Sequence, residues 1–477
     1  VSSVVFILLA TVLLADRLPG VAAESGALWA TLASVLAPPA LALIVQASAV
    51  RRAERILERG DPRGAQAVAR ADAATRIVAR AGAIGLAVGC FGFGWVAVVR
   101  GAIGDLPALD ELLAIAPALA AMALSWWIGE PIERRVREAS LVRRLDDGLP
   151  IPPSPSRLGF VLARARTTVL LMLVPMLLIL GLGELLAPRA AALAPEGWGA
   201  ASGDAALFAS AALVYLAAPL LARAILTLRP LPEGTLRDEL LEVARSSQVR
   251  IGQIYLWDTH YAMVNGAVLG VLPRLRFVLL TDALLELLPR DQVRAVMAHE
   301  VGHVRRRHLP WLLVALVALL ALATPLLAWP LERVLDAAER STMDAASLDL
   351  LAEWLGRGAV LGAGLLGLLG LGWVSRRFER QADVFAVQTL SRASGSATIT
   401  PESVRAMTGA LESVATHGGI DPARRSWRHG SIRWRQRYLL GTVGAGLERM
   451  PIDRLVLAIK VAAALGAAFV LSQLFAA

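Results

Sequence analysis

The sequence predicts a mainly α, polytopic membrane protein with about nine transmembrane helices and one small cytoplasmic α+β domain. Three observations predict it. The 477 residues are 56% hydrophobic and only 18% charged, with a mean hydropathy of +0.59, far above a soluble average. Apolar runs long enough to cross a bilayer recur along the chain. Arginines gather in alternate loops between those runs, which is the pattern that orients a polytopic chain.

A helix needs roughly 20 apolar residues to cross the hydrocarbon core. The candidate spans lie near 1–15, 27–49, 81–99, 112–129, 167–187, 205–227, 309–329, 357–375 and 455–476. The first is short and is followed by Asp16 and Arg17. It is kept as a weak span, with the remnant of a signal anchor as the alternative reading. Segment 51–80 holds eight arginines, and the stretch from Arg134 to Arg166 is similarly basic, whereas Glu332–Glu353 carries six carboxylates. The positive-inside rule then places 51–80, 130–166, 228–308 and 376–454 in the cytoplasm. The net charge of +9 is assigned to topology and lipid headgroups. Without interleaved aromatics it does not indicate a nucleic-acid partner. Only one of the 48 basic residues is lysine, Lys460, a bias that points to a GC-rich bacterial genome and hence to the inner membrane. The single cysteine, Cys90, excludes an internal disulfide.

These signals divide the chain into four parts. Residues 1–148 form a membrane module of about four spans with no recognisable chemistry. A proline-rich, basic linker, 149–166, contains "LPIPPSPSR". Residues 167–454 combine four spans with the cytoplasmic segments 228–308 and 376–454, and 455–477 is a terminal span. Within 228–308, residues 249–258, 262–271 and 274–282 read as short strands. A helix follows at about 282–288, and a second runs from near Asp291 through the histidines toward the seventh span. "SRASGSATITP" (391–401) reads as a loop. "GAGLLG" (362–367) fits a dinucleotide fingerprint but lies within an apolar run, so close helix packing is the better reading.

Three of the six histidines fall in "AVMAHEVGHVRRRH", residues 295–308. His299 and His303 are four apart, so on a helix both imidazoles share one face. Glu300 between them matches HExxH, in which two histidines bind zinc and the glutamate acts as general base. A catalytic zinc needs three protein ligands and an open position. The third candidate is Glu379 in "RRFERQADVFAV" (376–387). Asp383, four residues on, is positioned to orient a ligand histidine through its second N–H. The HExxHxxGxxH alternative fails, because Arg306 and Leu309 stand where glycine and histidine would be needed.

The pieces Asn265 with Gly270, "LLTDALLELL", "AVMAHEVGHVRRRH" and "FERQADVFA" together resemble the membrane zinc metalloproteases that include HtpX and the CAAX prenyl endopeptidases. Gly266 stands where that family usually has alanine. The resemblance covers roughly residues 205–440 and implies a cytoplasmic zinc metalloprotease domain with one Zn2+ per chain. It implies that the strand carrying Asn265 and Gly270 lines the cleft and binds extended substrate by β-augmentation. "RHGSIRWRQRYL" (428–439) is similar to a His-Pro-x-x-x-x-Arg element, with Gly430 in the proline position. By that likeness His429 and Arg435 stabilise the oxyanion or anchor substrate backbone. His308 is expected to be structural or interfacial, and His260 a turn residue.

The expected activity is a membrane zinc endopeptidase of the gluzincin type, acting on peptides or membrane proteins in quality control. CAAX-type processing in an intramembrane chamber and a non-enzymatic, zinc-stabilised scaffold or sensor are the alternatives. A purely structural site has no use for Glu300 and usually closes with a fourth ligand.

Overall fold

A computed structural model describes residues 2–16, 28–146, 155–195, 199–261, 263–340, 343–418, 420–448 and 450–476. Its contacts divide the chain into two compact units, Val1–Thr227 and Leu228–Ala477. The first unit takes in the spans near 167–187 and 205–227, which the sequence reading grouped with the catalytic segments.

The first unit is helical: α1 (Ser2–Asp16), α2 (Leu28–Glu58), α3 (Gly64–Phe93), α4 (Trp95–Ile103), α5 (Leu109–Asp146), α6 (Arg157–Ala165), α7 (Leu171–Leu193) and α8 (Gly199–Ile225). The basic stretch 132–144 continues α5 without a break. The expected linker 149–166 is helical from Arg157 onward, because Ser156 caps α6 by accepting the Gly159 N–H and a single π turn joins α6 to α7. Its residues 149–154 lie outside the described residues. Small residues let the α2, α3 and α5 backbones approach. A Cβ on Gly85, for example, would fall 2.9 Å from the Ser34 carbonyl oxygen.

The second unit runs β1 (Leu228–Pro230), α9 (Thr235–Ser246), β2 (Gln253–Trp257), β3 (Gly266–Leu269), β4 (Phe277–Thr281), α10 (Asp282–Leu287), α11 (Arg290–Arg305), α12 (His308–Glu339), α13 (Ala345–Ala393), α14 (Pro401–His417), α15 (Ile432–Leu440) and α16 (Pro451–Ala476). The sheet order is β1-β2-β4-β3, with β2 and β4 parallel and the outer strands antiparallel. Every residue of β4 is buried, as befits an unbroken apolar strand inside a sheet. β3 lies at the edge. The three expected strands are therefore present, each shorter than its apolar run.

Among the described residues, six helices are long and apolar enough to cross a membrane, with α12 the last of them and Val4–Ala15 a shorter apolar helix. The chain is thus mainly α and polytopic, with a small α+β portion. The expected spans at 357–375 and 455–476 fall within α13 and α16. α12 and α13 pack antiparallel. A Cβ on Gly362, Gly367 or Gly370 would meet Leu327, Leu320 or Leu319, which is the small-residue packing expected of "GAGLLG". α13 continues without a break beyond its apolar part into residues 376–393, and this returns Glu379 to the sheet-bearing portion.

Candidate metal centre

α11 begins after Pro289 with Asp291 in its first turn, where a carboxylate favours the helix dipole. Its apolar face (Val293, Ala295, Met297, Ala298 and Val301) enters the main core. α13 comes close because position 302 is glycine; a Cβ there would lie 3.0 Å from the Phe385 ring. Two i,i+4 pairs, His299 with His303 and Glu379 with Asp383, thereby face each other.

The two Nε2 atoms of His299 and His303 are 3.1 Å apart. Glu379 Oε2 lies 3.7 Å from the first and Oε1 3.7 Å from the second. Tetrahedral zinc with bonds of 2.0–2.1 Å sets its ligand atoms roughly 3.3–3.4 Å apart, and the observed separations bracket that. These three residues form a group able to hold a metal ion, with two nitrogens and one carboxylate as the donor set. Asp383 Oδ1 is 2.9 Å from His299 Nδ1, the contact that fixes Nε2 as the metal-facing nitrogen.

Arg435 connects the carboxylates. Its Nε and Nη2 donate to Asp383 at 2.8 and 2.6 Å, and its Nη1 lies 3.2 Å from Glu379. His429 Nδ1 is 3.0 Å from Glu379 Oε1, with its side chain about half exposed at 55%. Both residues of the late His–Arg pair therefore reach the centre. Arg435, expected to serve the oxyanion or substrate, has its fork engaged by Asp383 and Glu379.

Burial opposes the charge on Glu379, but the Arg435 guanidinium and the His429 hydrogen bond hold its carboxyl well below the usual range. Burial, then the neighbouring His299, pushes His303 down to about 4, which leaves it a neutral donor. Glu300 is partly buried at the cleft wall. Burial raises its carboxyl to about 7, and its Oε2 accepts the Val268 N–H of β3 at 3.1 Å.

A cleft of about 550 Å³ opens over these groups, lined by Asn265–Val268 along β3 and by Leu309, Met407, Val414 and His429 among others. Asn265 is held by three bonds to Thr281, whose hydroxyl accepts the Asn265 N–H at 3.0 Å and whose N–H and hydroxyl donate to the Asn265 carbonyl at 3.0 and 3.1 Å. The space left by Gly266 is filled by Val296, whose Cγ1 would sit 2.9 Å from an added Cβ.

Gly270 lies one residue past β3, beside a second cavity rather than this cleft. Its φ is +102°, and a Cβ would approach the Arg276 Cα to 2.9 Å. Gly270→Ala is expected to cost about 1–3 kcal/mol of stability, typical of a strained backbone position. A lowered denaturation midpoint checks this, and an unchanged midpoint would show that the turn tolerates a side chain.

One feature departs from the expected continuous helix. α11 ends at Arg305, and Arg307 adopts a left-handed conformation with φ 53° before α12 starts. On an unbroken helix His308 would stand about 140° around from His303, five residues at 100° each. The break instead brings His308 Nδ1 to 2.9 Å from His303 Nδ1. His308 is 3% exposed and stacks on Phe378 with ring centroids 4.5 Å apart. His260 occupies a left-handed turn, as expected.

Residues 230–417 match the family model described as Peptidase family M48, so the resemblance drawn from the motifs is borne out. The matched region contains His299, Glu300, His303, Glu379 and Asp383, while His429 and Arg435 lie beyond it. A CAAX prenyl protease 1 homolog of Arabidopsis thaliana is 29% identical over 161 residues, 33% of this chain and 38% of that protein. A Protease HtpX homolog of Aeropyrum pernix is 38% identical over 82 residues, 17% of this chain and 25% of that protein. The chain thus spans well under half the length of these curated relatives. The crystal structure of S. mikatae Ste24p aligns with a TM-score of 0.44 and 13% identity, covering 86% of this chain and 98% of that one.

Proposed function

We propose that this protein is an integral-membrane zinc endopeptidase with its active site at the cytoplasmic face of a bacterial inner membrane. One observation carries the reading: three donor residues, His299, His303 and Glu379, converge while Glu300, which is not among them, borders the same open cleft. A purely structural metal site requires neither the free carboxylate nor the cleft. The M48 match over 230–417 supports the protease class.

Zinc held by His299, His303 and Glu379 would supply Lewis acidity to polarise the scissile carbonyl and acidify the attacking water. Glu300 takes the water proton and delivers it to the leaving amine, acting as base and then acid. Asp383 keeps His299 in its binding tautomer, and Arg435 holds Asp383 and Glu379 in place. With the Arg435 fork engaged, the half-exposed His429 is the donor that meets the charge developing on the carbonyl oxygen, for which its Nδ1–H turns away from Glu379. An extended peptide adds to the exposed edge of β3 beside Asn265, and the apolar cleft wall accepts segments of unfolded membrane proteins, which suits quality control.

Cytoplasmic placement rests on the arginine-rich loops and on Arg305–Arg307 at the start of α12. Processing of a prenylated C-terminus is the second reading, favoured by the CAAX prenyl protease likeness.

The detergent-purified protein should hold one zinc per chain and cleave unfolded casein. Chelation should abolish cleavage, and stoichiometric zinc should restore it. Zinc without cleavage of any peptide would leave only the scaffold reading, and a strong rate preference for a prenylated peptide would select the CAAX-type one.

A further inference from the structure

His303 lacks the arrangement that serves His299. No carboxylate contacts its Nδ1 among the described residues; the neighbour there is His308. His308 in turn places Nε2 2.8 Å from Gln381 Oε1. Gln381 Nε2 donates to Asp453 Oδ1 at 2.7 Å. Asp453 stands in the first turn of α16. There its other oxygen accepts the Met450 N–H at 2.9 Å, and Arg306 Nη2 approaches Oδ1 to 3.3 Å. His308, Gln381 and Asp453 are all buried, at 3%, 4% and 8% exposure.

The chemistry allows one direction along this chain. His303 Nε2 faces the donor group, so a lone pair offered there puts the proton on Nδ1. His303 then donates to His308 Nδ1, which must be unprotonated. His308 is left with its proton on Nε2 and donates to the Gln381 carbonyl oxygen. The Gln381 amide then has its N–H to give, and Asp453, an acceptor only, terminates the series. Each group has one role, and the roles agree from end to end. A flipped Gln381 would face Asp453 with oxygen against oxygen, so the carboxylate fixes the amide and the amide fixes the imidazole.

We propose that His308, Gln381 and Asp453 form a positioning relay that holds His303 Nε2 toward the metal and makes metal affinity depend on the terminal helix α16. The relay does for His303 what Asp383 does for His299, through two neutral groups instead of direct contact. The left-handed Arg307 is what makes it possible. It turns α12 so that His308 folds back, and Lys460 of α16 donates to the Arg306 carbonyl at 2.6 Å, holding the break from the same helix. The inference rests on the metal reading of the preceding subsection.

The test compares wild type, His308→Leu, His308→Asn and Gln381→Met. It measures zinc affinity by chelator competition and the visible absorption of the cobalt-substituted protein. His308→Leu should bind zinc about 10–100-fold more weakly, the usual loss when the partner of a ligand histidine is removed, with an altered cobalt spectrum. Asparagine can place an amide oxygen near the Nδ1 position and should recover affinity to within about threefold of wild type. Gln381→Met, which removes both amide bonds at similar volume, should weaken zinc by at least about threefold; it decides the matter alone if His308→Leu does not fold. Unchanged affinity in His308→Leu or Gln381→Met overturns the relay. So does an asparagine variant as weak as leucine, since packing against Phe378 would then be the only role of His308. A wild type that binds no zinc defeats the metalloprotease reading instead.

Discussion

Glu300→Gln should leave zinc bound at one per chain and reduce peptide cleavage about 10³-fold, within the range measured for general acid–base groups. That loss corresponds to about 4 kcal/mol of barrier at 1.36 kcal/mol per tenfold. The substitution is informative because of where Glu300 stands. Its carboxylate is not in the donor group and accepts the Val268 N–H, a bond that a glutamine oxygen also makes. Shape and edge-strand contact persist, and only the capacity to take a proton goes. Metal content separates the outcomes. Lost zinc would make Glu300 a structural member of the site, and full turnover with zinc present would remove it from the mechanism. Glu300→Asp retains the base but withdraws it by one methylene, so it should recover part of the rate.

Why this much was legible in the sequence follows from periodicity. His299/His303 and Glu379/Asp383 are local i,i+4 relations, and any helix honours them. The strands at 253–257, 266–269 and 277–281 lie within apolar, β-branched runs bounded by turns, which is likewise a local signal. What was hidden is long-range. Arg435 reads as a substrate or oxyanion group until Asp383, 52 residues earlier, is seen to occupy its fork. His308 reads as a bystander because helical spacing turns it away from His303, and only the φ of Arg307 reverses that. Nothing in a tripeptide of arginines announces a left-handed residue, and the contact that holds the break, from Lys460 to the Arg306 carbonyl, comes from 154 residues away. Gln381 and Asp453 gave no signal at all. Each is an ordinary polar residue beside an apolar helix, and 72 residues separate them. The strand β1 was missed for the same reason, as its three residues form a strand only through pairing with β2.

Arg435→Met should strongly destabilise the second unit. Arg435 is 7% exposed and is the cation that bonds both Asp383 and Glu379. Removing one member of a buried ionic group leaves uncompensated charge and costs about 3–5 kcal/mol, which lowers the denaturation midpoint of the zinc-free protein. Zinc should restore part of that loss, because it brings positive charge to Glu379 and binds only the folded form. The gap between zinc-free and zinc-loaded midpoints should therefore widen in the variant. Arg435→Lys should fall between, since an ammonium keeps the charge but lacks the planar fork that holds Asp383 by two bonds. Combining Arg435→Met with Asp383→Asn provides the internal check. If the damage comes from a stranded carboxylate, neutralising that carboxylate should return some of the stability, so the double variant is more stable than Arg435→Met alone. A role confined to substrate or oxyanion predicts the opposite pattern, with cleavage falling while the midpoints of all variants coincide. Coincident midpoints would return Arg435 to the role its spacing from His429 first suggested.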